Sequence, residues 1–270
     1  HPRVGRGVPG AVNLDVELHT QRIPGHEYLP AAGDNQRAVS RMSRDEAMAY
    51  LPAYERTLES AMEVIDVIIA HHANLTAVAA HDVARRHDTP YVWFLHGTGI
   101  EPRHDGHYDD VVWSRIREAI ESAAGLLVTT EYVRDGLVRP LIDLPDRRFF
   151  ILPCGVDLDD FHPRRTADIR ARYELPETYV ICPGALTHSK GPQNVVEASR
   201  WYGDLAPTIF IGDGDLRAGL EHDLEGRGRC LGFVPAEDRS LLVNAASILT
   251  AAPEKLEHFG IIYAEALAAG

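Results

Sequence analysis

The sequence predicts an α/β protein of two tandem domains, each built on a parallel sheet. Three observations predict it. Short, wholly apolar runs alternate with longer amphipathic segments, the pattern of buried strands joined by crossover helices. The alternation begins near Asp66, halts around Pro163-Arg164-Arg165, and restarts near Tyr179. The length, 270 residues, suits two domains that each bury a core of their own.

Residues 1–40 are rich in Gly, Pro and His and carry one predicted strand, around Val12 to Leu18. Residues 44–64 have helical spacing. Val67 to Ala70 is wholly apolar and reads as a strand, followed by a helix from Leu75 to Arg86. Tyr91 to Leu95 is the next strand and Trp113 to Ala124 the next helix. Strand Gly125 to Val128, helix Val133 to Leu141 and strand Phe149 to Leu152 follow. Beyond the Pro-Arg-Arg stretch come strand Tyr179 to Cys182, helix Pro192 to Trp201, strand Thr208 to Ile211 and helix Asp215 to Leu224. Arg229 to Leu231 is a short strand, Ala236 to Ala246 a helix and Ile248 to Ala251 a strand. From Gly260 the spacing of Ile261, Ile262, Ala264, Leu267 and Ala268 is helical with a wide buried stripe. The predicted domains are 1–163, whose first strand is expected upstream of His1, and 164–270, whose sheet is expected to continue beyond Gly270.

Composition narrows the function. The net charge of −13, with no basic stripe to offset it, argues against nucleic acid as a partner. Three widely spaced cysteines and no CxxC pair fit reduced thiols and a cytoplasmic chain. No apolar run reaches the roughly eighteen residues of a membrane span. Contact with the inner face of a membrane through the N-terminal domain stays open.

Ligands of such sheets bind at the carboxyl ends of the strands, at the switch point of strand order. The candidates there are His71-His72, His96-Gly97-Thr98, Thr129-Thr130-Glu131, Pro153-Cys154-Gly155, Gly184, Gly212-Asp213-Gly214 and the loop carrying Glu257. Glu257 and Glu265 stand on either side of a predicted helix start, whose exposed amides suit phosphate or hydroxyl oxygens. Two carboxylates at such a place can hold the hydroxyls of a sugar and a ribose. Each residue also has a plainer reading. Glu265 could be a solvated helix residue, and His96 a structural histidine after a strand. The Gly212-Asp213-Gly214 turn needs only positive φ. His104 and His107 read as a solvated loop. His71, His72 and His96 lack a carboxylate or cysteine spaced to complete a metal site, so no metal is expected.

Taken in order, five segments carry a resemblance: Ile151-Leu152-Pro153-Cys154-Gly155-Val156-Asp157 with Phe161-His162-Pro163; Pro183-Gly184-Ala185-Leu186 with Lys190-Gly191; Ile211-Gly212-Asp213-Gly214-Asp215-Leu216; Leu231-Gly232-Phe233-Val234-Pro235; and Glu257 with Glu265. In this register the chain resembles the retaining family-four glycosyltransferases of GT-B fold, from about Asp66 to Gly270, as a fragment of a longer protein. The resemblance implies two Rossmann-like domains facing a cleft, the second holding a nucleoside diphosphate sugar and the first most of a glycan, lipid-linked or small-molecule acceptor. Glu257 would hold hydroxyls of the donor sugar, Glu265 the ribose, and Lys190 the diphosphate beside Gly184. The amides of His258, Phe259, Gly260 and Ile261 would take sugar and phosphate oxygens, and Gly232, Phe233 and Val234 would lie against the base. His96 matches the N-domain histidine that reaches the sugar. His96, Lys190 and Glu257 would be the catalytic residues, with no cofactor beyond the co-substrate.

One position departs from the family. Ala185 stands where an arginine usually follows the glycine, so Arg217 or another cation would have to substitute. The Glu257-His258-Phe259-Gly260-Ile261 wording hints at GDP-mannose, with UDP-sugars as open alternatives. The rival functions are a non-catalytic nucleotide-sugar-binding module and another GT-B enzyme, such as a sugar-nucleotide epimerase. A phosphorylase would need its cofactor lysine, for which Lys190 is the one candidate.

Overall fold

A computed structural model describes residues 11, 12, 14–18, 23–25 and 36–270. The chain divides into two compact units, with the division along the main run between Pro153 and Cys154. That is ahead of the Pro-Arg-Arg stretch, because residues past Cys154 belong to the second core. Phe161 is buried there, and Asn244 Nδ2 donates to the His162 carbonyl at 3.0 Å.

In the first unit, Ile23–Gly25 (β1) and Gln36–Ala38 (β2) form a two-stranded parallel sheet. The strand predicted around Val12 to Leu18 is not found among the described residues; Val12 is exposed and pairs with no strand. The helical stretch 44–64 resolves into Arg44–Met48 (α1), capped by Ser43, and Leu51–Glu59 (α2), with a 3-10 turn at Met62–Val64. A four-stranded parallel sheet follows: Ile68–His71 (β3), Tyr91–Leu95 (β4), Gly125–Val128 (β5) and Phe149–Ile151 (β6), in the order β3-β4-β5-β6.

Its helices are Leu75–His87 (α3), a short turn at Glu101–His104 (α4), and Asp110–Ser122 (α5). Asn74 caps α3 by accepting from Thr76 N at 3.0 Å, and Asp109 caps α5 by accepting from Val111 N at 2.9 Å. The helix predicted over Val133 to Leu141 is a π-helix at Tyr132–Val138, closed by Arg139 N donating to the Arg134 carbonyl at 3.0 Å. His104 does not sit in a loop: it belongs to α4, and its Nε2 lies 2.8 Å from the Leu137 carbonyl.

The sheet is buried unevenly. Alternate residues point to opposite faces. Ile68, Ala70, Tyr91, Trp93, Leu95, Leu126 and Val128 are buried with α3 and α5, whereas Ile69 and Phe150, on the alternate positions, are exposed.

In the second unit, Val180–Pro183 (β7), Thr208–Ile211 (β8), Gly228–Cys230 (β9) and Ile248–Leu249 (β10) form a parallel sheet in the order β10-β7-β8-β9. Helices Ala167–Arg172 (α6), Pro192–Tyr202 (α7), Arg217–Asp223 (α8), Ala236–Ala245 (α9) and Ile261–Ala269 (α10) accompany it. This sheet is covered on both faces. Ile181, Ile209 and Ile211 pack with Leu242 and Val243 of α9. Cys182 and Phe210, on intervening positions, pack with Val195, Val196 and Leu220 of α7 and α8.

Helix α10 departs from the predicted wide buried stripe. Leu267 is 84 % exposed and Ile261 is exposed, while the buried positions are Glu265 and Ala269. Its 265/269 face is the one turned to α9, and Asn244 Nδ2 of α9 donates to the Ala269 carbonyl at 2.6 Å. Among the described residues no helix is long and apolar enough to cross a membrane.

Candidate functional site

The order β10-β7-β8-β9 contains a reversal. The chain lays down β7, moves outward through β8 and β9, then returns to place β10 on the other side of β7. Loops leaving β7 and β10 therefore diverge, and a crevice opens at their carboxyl ends. A hollow of about 130 Å³ lies there, lined by Pro183, Ala185, Lys190, Ala251, Glu257 and Gly260 among others. A second hollow of about 230 Å³ shares Pro183, Gly184 and Ala185 and is completed by Gly212, Asp213, Phe233, Val234 and Arg239.

The crevice is braced by backbone contacts. Gly191 has φ of 65°, and a Cβ placed on it would stand 1.7 Å from the Ala252 carbonyl oxygen. Only glycine lets the start of α7 approach the end of β10 this closely. Asn194 Nδ2 then donates to the Ala252 carbonyl at 3.2 Å and to Glu254 Oε1 at 2.9 Å. Glu254 N donates to the Ser189 carbonyl at 3.1 Å. These bonds stitch the 188–194 turn to the 252–257 loop and bring Lys190 to Glu257.

Lys190 Nζ donates to Glu257 Oε1 and sits 3.4 Å from Oε2. The lysine is 42 % exposed and the glutamate 30 %, so both remain open to a ligand. Gly260, at φ 75°, turns the chain into α10. The first amides of that helix, at Ile261 and Ile262, have no acceptor in a preceding turn, and both residues line the hollow. The cation and the helix start together form an anion-favouring corner. Burial and the Glu257 charge push the Tyr263 hydroxyl above its ordinary range. Cys182, in the wall, has its thiol pushed up to about 12 by burial and by Cys230.

The predicted residues fall into separate places. Gly184, Lys190, Glu257, Gly260 and Ile261 line the first hollow; Gly184 again, with Phe233 and Val234, lines the second. Glu265 lines neither: it is buried on α10, and Arg239 Nη2 donates to its Oε2. Gly232 has φ of 75° and packs against the Arg217 guanidinium. Arg217 does not stand free to replace the missing arginine. Its Nη1 is 3.0 Å from Asp213 Oδ2 and its Nε 3.1 Å from Glu221 Oε1. Gly212, at φ 122°, has the turn geometry predicted for it, with Gly184 packed against it. Sequence reasoning missed Arg239 and Tyr263. Arg239 reads as a solvated residue in the first turn of α9, and its partner lies 26 residues away.

His96 belongs to the first unit. It follows β4 in a cluster of rings at the carboxyl ends of β3 and β4. His71 Nδ1 lies 3.0 Å from His96 Nε2, and Phe94 stacks on His96 with centroids 4.3 Å apart. His72, at φ 61°, is held by Trp93 Nε1 donating to its carbonyl at 3.0 Å. Among the described residues no group of three or more His, Cys, Asp or Glu side chains gathers as a metal site.

Comparison with known proteins agrees with this architecture. A D-inositol 3-phosphate glycosyltransferase of Xylanimonas cellulosilytica is 28 % identical over 232 residues, 76 % of this chain and 54 % of that one. D-inositol 3-phosphate glycosyltransferase 1 of Catenulispora acidiphila is 30 % identical over 229 residues, again 76 % and 54 %. The chain thus spans about half the length of these curated relatives.

Among solved structures, Anabaena HepE in complex with UDP and glucose superposes with a TM-score of 0.67 at 17 % identity, over 81 % of this chain and 60 % of that one. Sucrose-phosphate synthase of Thermosynechococcus elongatus gives 0.66 at 19 %, over 89 % and 63 %. At such identities the likeness is one of fold, and it is the GT-B fold. The sequence profile of Glycosyltransferase Family 4 matches residues 11–160, more than half of the chain. A profile match of that extent and a relative at 30 % identity over three quarters of the chain place the protein in the glycosyltransferase family 4 group.

Proposed function

We propose that the protein is a retaining, metal-independent glycosyltransferase that moves a hexose from a nucleoside diphosphate sugar to a hydroxyl of a small-molecule, glycan or lipid-linked acceptor. The observation that carries this reading is the pairing of Lys190 with Glu257 at the strand-order reversal, beside the open amides of α10. The diphosphate would take Lys190 and the helix start, and the sugar hydroxyls would take Glu257. In the transfer, the bond from the anomeric carbon to the phosphate oxygen breaks and one to the acceptor oxygen forms on the same face. The acceptor proton passes to the departing phosphate oxygen. Charge grows on the diphosphate as this happens, and a preorganised cation and amides stabilise it most at that moment.

The relatives named for D-inositol 3-phosphate support a small phosphorylated polyol as the first acceptor to try. The UDP and glucose bound by HepE support a UDP-sugar donor, with GDP-mannose beside it. A cytoplasmic site of action, with contact at the membrane's inner face when the acceptor is lipid-linked, goes with this reading. The test is thermal-shift titration of the protein with UDP, GDP, ADP and their common sugar conjugates, beside Lys190→Ala. A nucleotide-specific rise in Tm that the variant loses supports the donor site. No response to any nucleotide from folded protein sinks the transferase reading. Product NMR decides retention, and assay in EDTA decides metal independence. Ala185 in place of an arginine favours one second reading, a nucleotide-sugar-binding module without turnover; binding without transfer would select it.

A further inference from the structure

The hollow beside Lys190 and Glu257 is poor in donors. Of the described side chains that line it, only Lys190 and Tyr263 carry an N–H or O–H group. The others are apolar, apart from the Glu257 carboxylate and the Cys182 thiol. Lys190 is committed in part, because its Nζ donates to Glu257. A diphosphate entering here meets a cation that a carboxylate already offsets, so a second side-chain donor matters.

The place of Tyr263 is made by Gly260. A Cβ at Gly260 would stand 2.7 Å from ring carbon Cδ2 of Tyr263, 2.9 Å from Cε2 and 3.8 Å from Glu257 Cγ. Glycine there turns the chain into α10 at φ 75° and also leaves the ring room beside Glu257. Tyr263 N donates to the Gly260 carbonyl at 3.0 Å, which fixes the turn that carries the ring. The side chain stays 37 % exposed.

Its hydroxyl makes no hydrogen bond to a described residue, Glu257 included. Burial first, then Glu257 and Cys182, raise its pKa above the ordinary range, so it keeps its proton. Two other tyrosines of the same unit are tied off. The Tyr179 hydroxyl donates to the Leu242 carbonyl at 2.6 Å, and the Tyr173 hydroxyl to Asp238 Oδ2 at 2.7 Å. Tyr263 is instead a donor held ready on the wall of an open hollow, in the first turn of the helix whose amides face the same space.

We infer that Tyr263 is a catalytic residue of the proposed transfer: its hydroxyl donates a hydrogen bond to the departing phosphate of the nucleoside diphosphate sugar, as the second side-chain donor beside Lys190. This rests on the donor-site reading above and adds to it the group that recognises the terminal phosphate. The tyrosine keeps its proton throughout, and the bonds made and broken are those of the transfer itself. As the sugar leaves, negative charge collects on the terminal phosphate oxygens. A donor fixed toward them binds that charge more tightly than it bound the ester.

The test titrates the full chain calorimetrically with UDP, GDP and ADP and with UMP, GMP and AMP, beside Tyr263→Phe. The substitution keeps the ring beside Gly260 and removes the hydroxyl alone, so Tm should hold. The best-bound diphosphate is expected to lose about tenfold or more in affinity, the scale of one hydrogen bond to a charged group, while its monophosphate changes by about twofold or less. In the transfer assay kcat should fall by about tenfold or more, with the KM for the donor sugar within about threefold. An equal loss on mono- and diphosphate, or no loss on either, overturns the inference, and so does an unchanged kcat. A wild-type chain that binds no nucleotide removes the donor-site reading, and this inference with it.

Discussion

The two units are written in the same alphabet of short apolar strands and amphipathic helices, yet they are built differently. In the first, strand order follows chain order, β3-β4-β5-β6, and α3 and α5 pack one face of the sheet over a single core. In the second, β10 returns past β7, the sheet is packed on both faces, and the core splits in two. The difference extends to the side chains at the strand ends. Near those of the first unit sit neighbouring rings: His71, His72, His96 and Phe94. Those of the second carry Lys190 and Glu257, with Arg239 and Glu265 behind them. A reversal of strand order opens a crevice, and the crevice is where this fold places ions.

The comparison breaks if the ions of the second unit prove dispensable. Lys190→Ala is expected to lower transfer by about 10²–10³-fold, the usual loss when a donor aimed at developing charge is removed. Steady-state kinetics checks it, and a loss below tenfold would give the two units equal shares in the chemistry. Next in size is Gly191→Ala. Its φ of 65° and the 1.7 Å approach to the Ala252 oxygen predict a loss of about 3 kcal/mol or more, read as a fall in Tm. Gly219→Ala, on α8 with open space around it, should instead raise stability by about 0.5–1 kcal/mol.

His96→Ala sharpens the contrast from the other side. It should lower transfer by about 10–100-fold, on the scale of a lost hydrogen bond to a charged group, while nucleotide affinity stays unchanged. Isothermal titration separates the two quantities, and a parallel loss of affinity would count against the division of labour.

The smallest effect concerns acid stability. His81 is 2 % exposed, its Nδ1 lies 3.0 Å from the Tyr91 hydroxyl, and its Nε2, 4.0 Å from Glu118 Oε1, has no hydrogen-bond partner among the described residues. Burial lowers its folded pKa below 6.5, outweighing the attraction of Asp82 and Glu118, while Arg85 and Arg115 add to the lowering. Above 6.5 both folded and unfolded chains hold it neutral. As pH falls below that value, the unfolded chain takes the proton first, so the first unit loses stability. His81→Gln should flatten this part of the Tm-against-pH curve; an unchanged slope would assign it to other groups.

Much of this was legible in the sequence. Strands Tyr91–Leu95, Gly125–Val128 and Thr208–Ile211 match their predicted bounds because each is an apolar run closed by turn residues. The strand β2, Gln36-Arg37-Ala38, has no apolar pattern to find. The break between α1 and α2 is marked by Pro52 in the first turn of α2, a start signal that the reading of 44–64 as one helical stretch passed over. Periodicity does not record strand order, which decides where the crevice opens. Glu257 and Lys190 could be named from their motifs, but their contact spans 67 residues and depends on the bracing by Gly191 and Glu254. Arg239 had no local signal at all. The buried stripe expected of α10 failed because seven of its nine residues are Ile, Ala or Leu spread around the helix, and the face that is buried carries Glu265.

Cys154 opens the long segment of the second unit, right after the first unit ends at Pro153. The chain has three cysteines, and the other two, Cys182 and Cys230, are buried with thiols pushed up to about 12 and about 11. Only Cys154 is partly open, its own thiol raised by burial. At mildly alkaline pH a maleimide dye will therefore settle at one position of the unmutated protein. That position directly follows the last residue of the first unit's main run, so the native sequence offers a single labelling site there without any added cysteine.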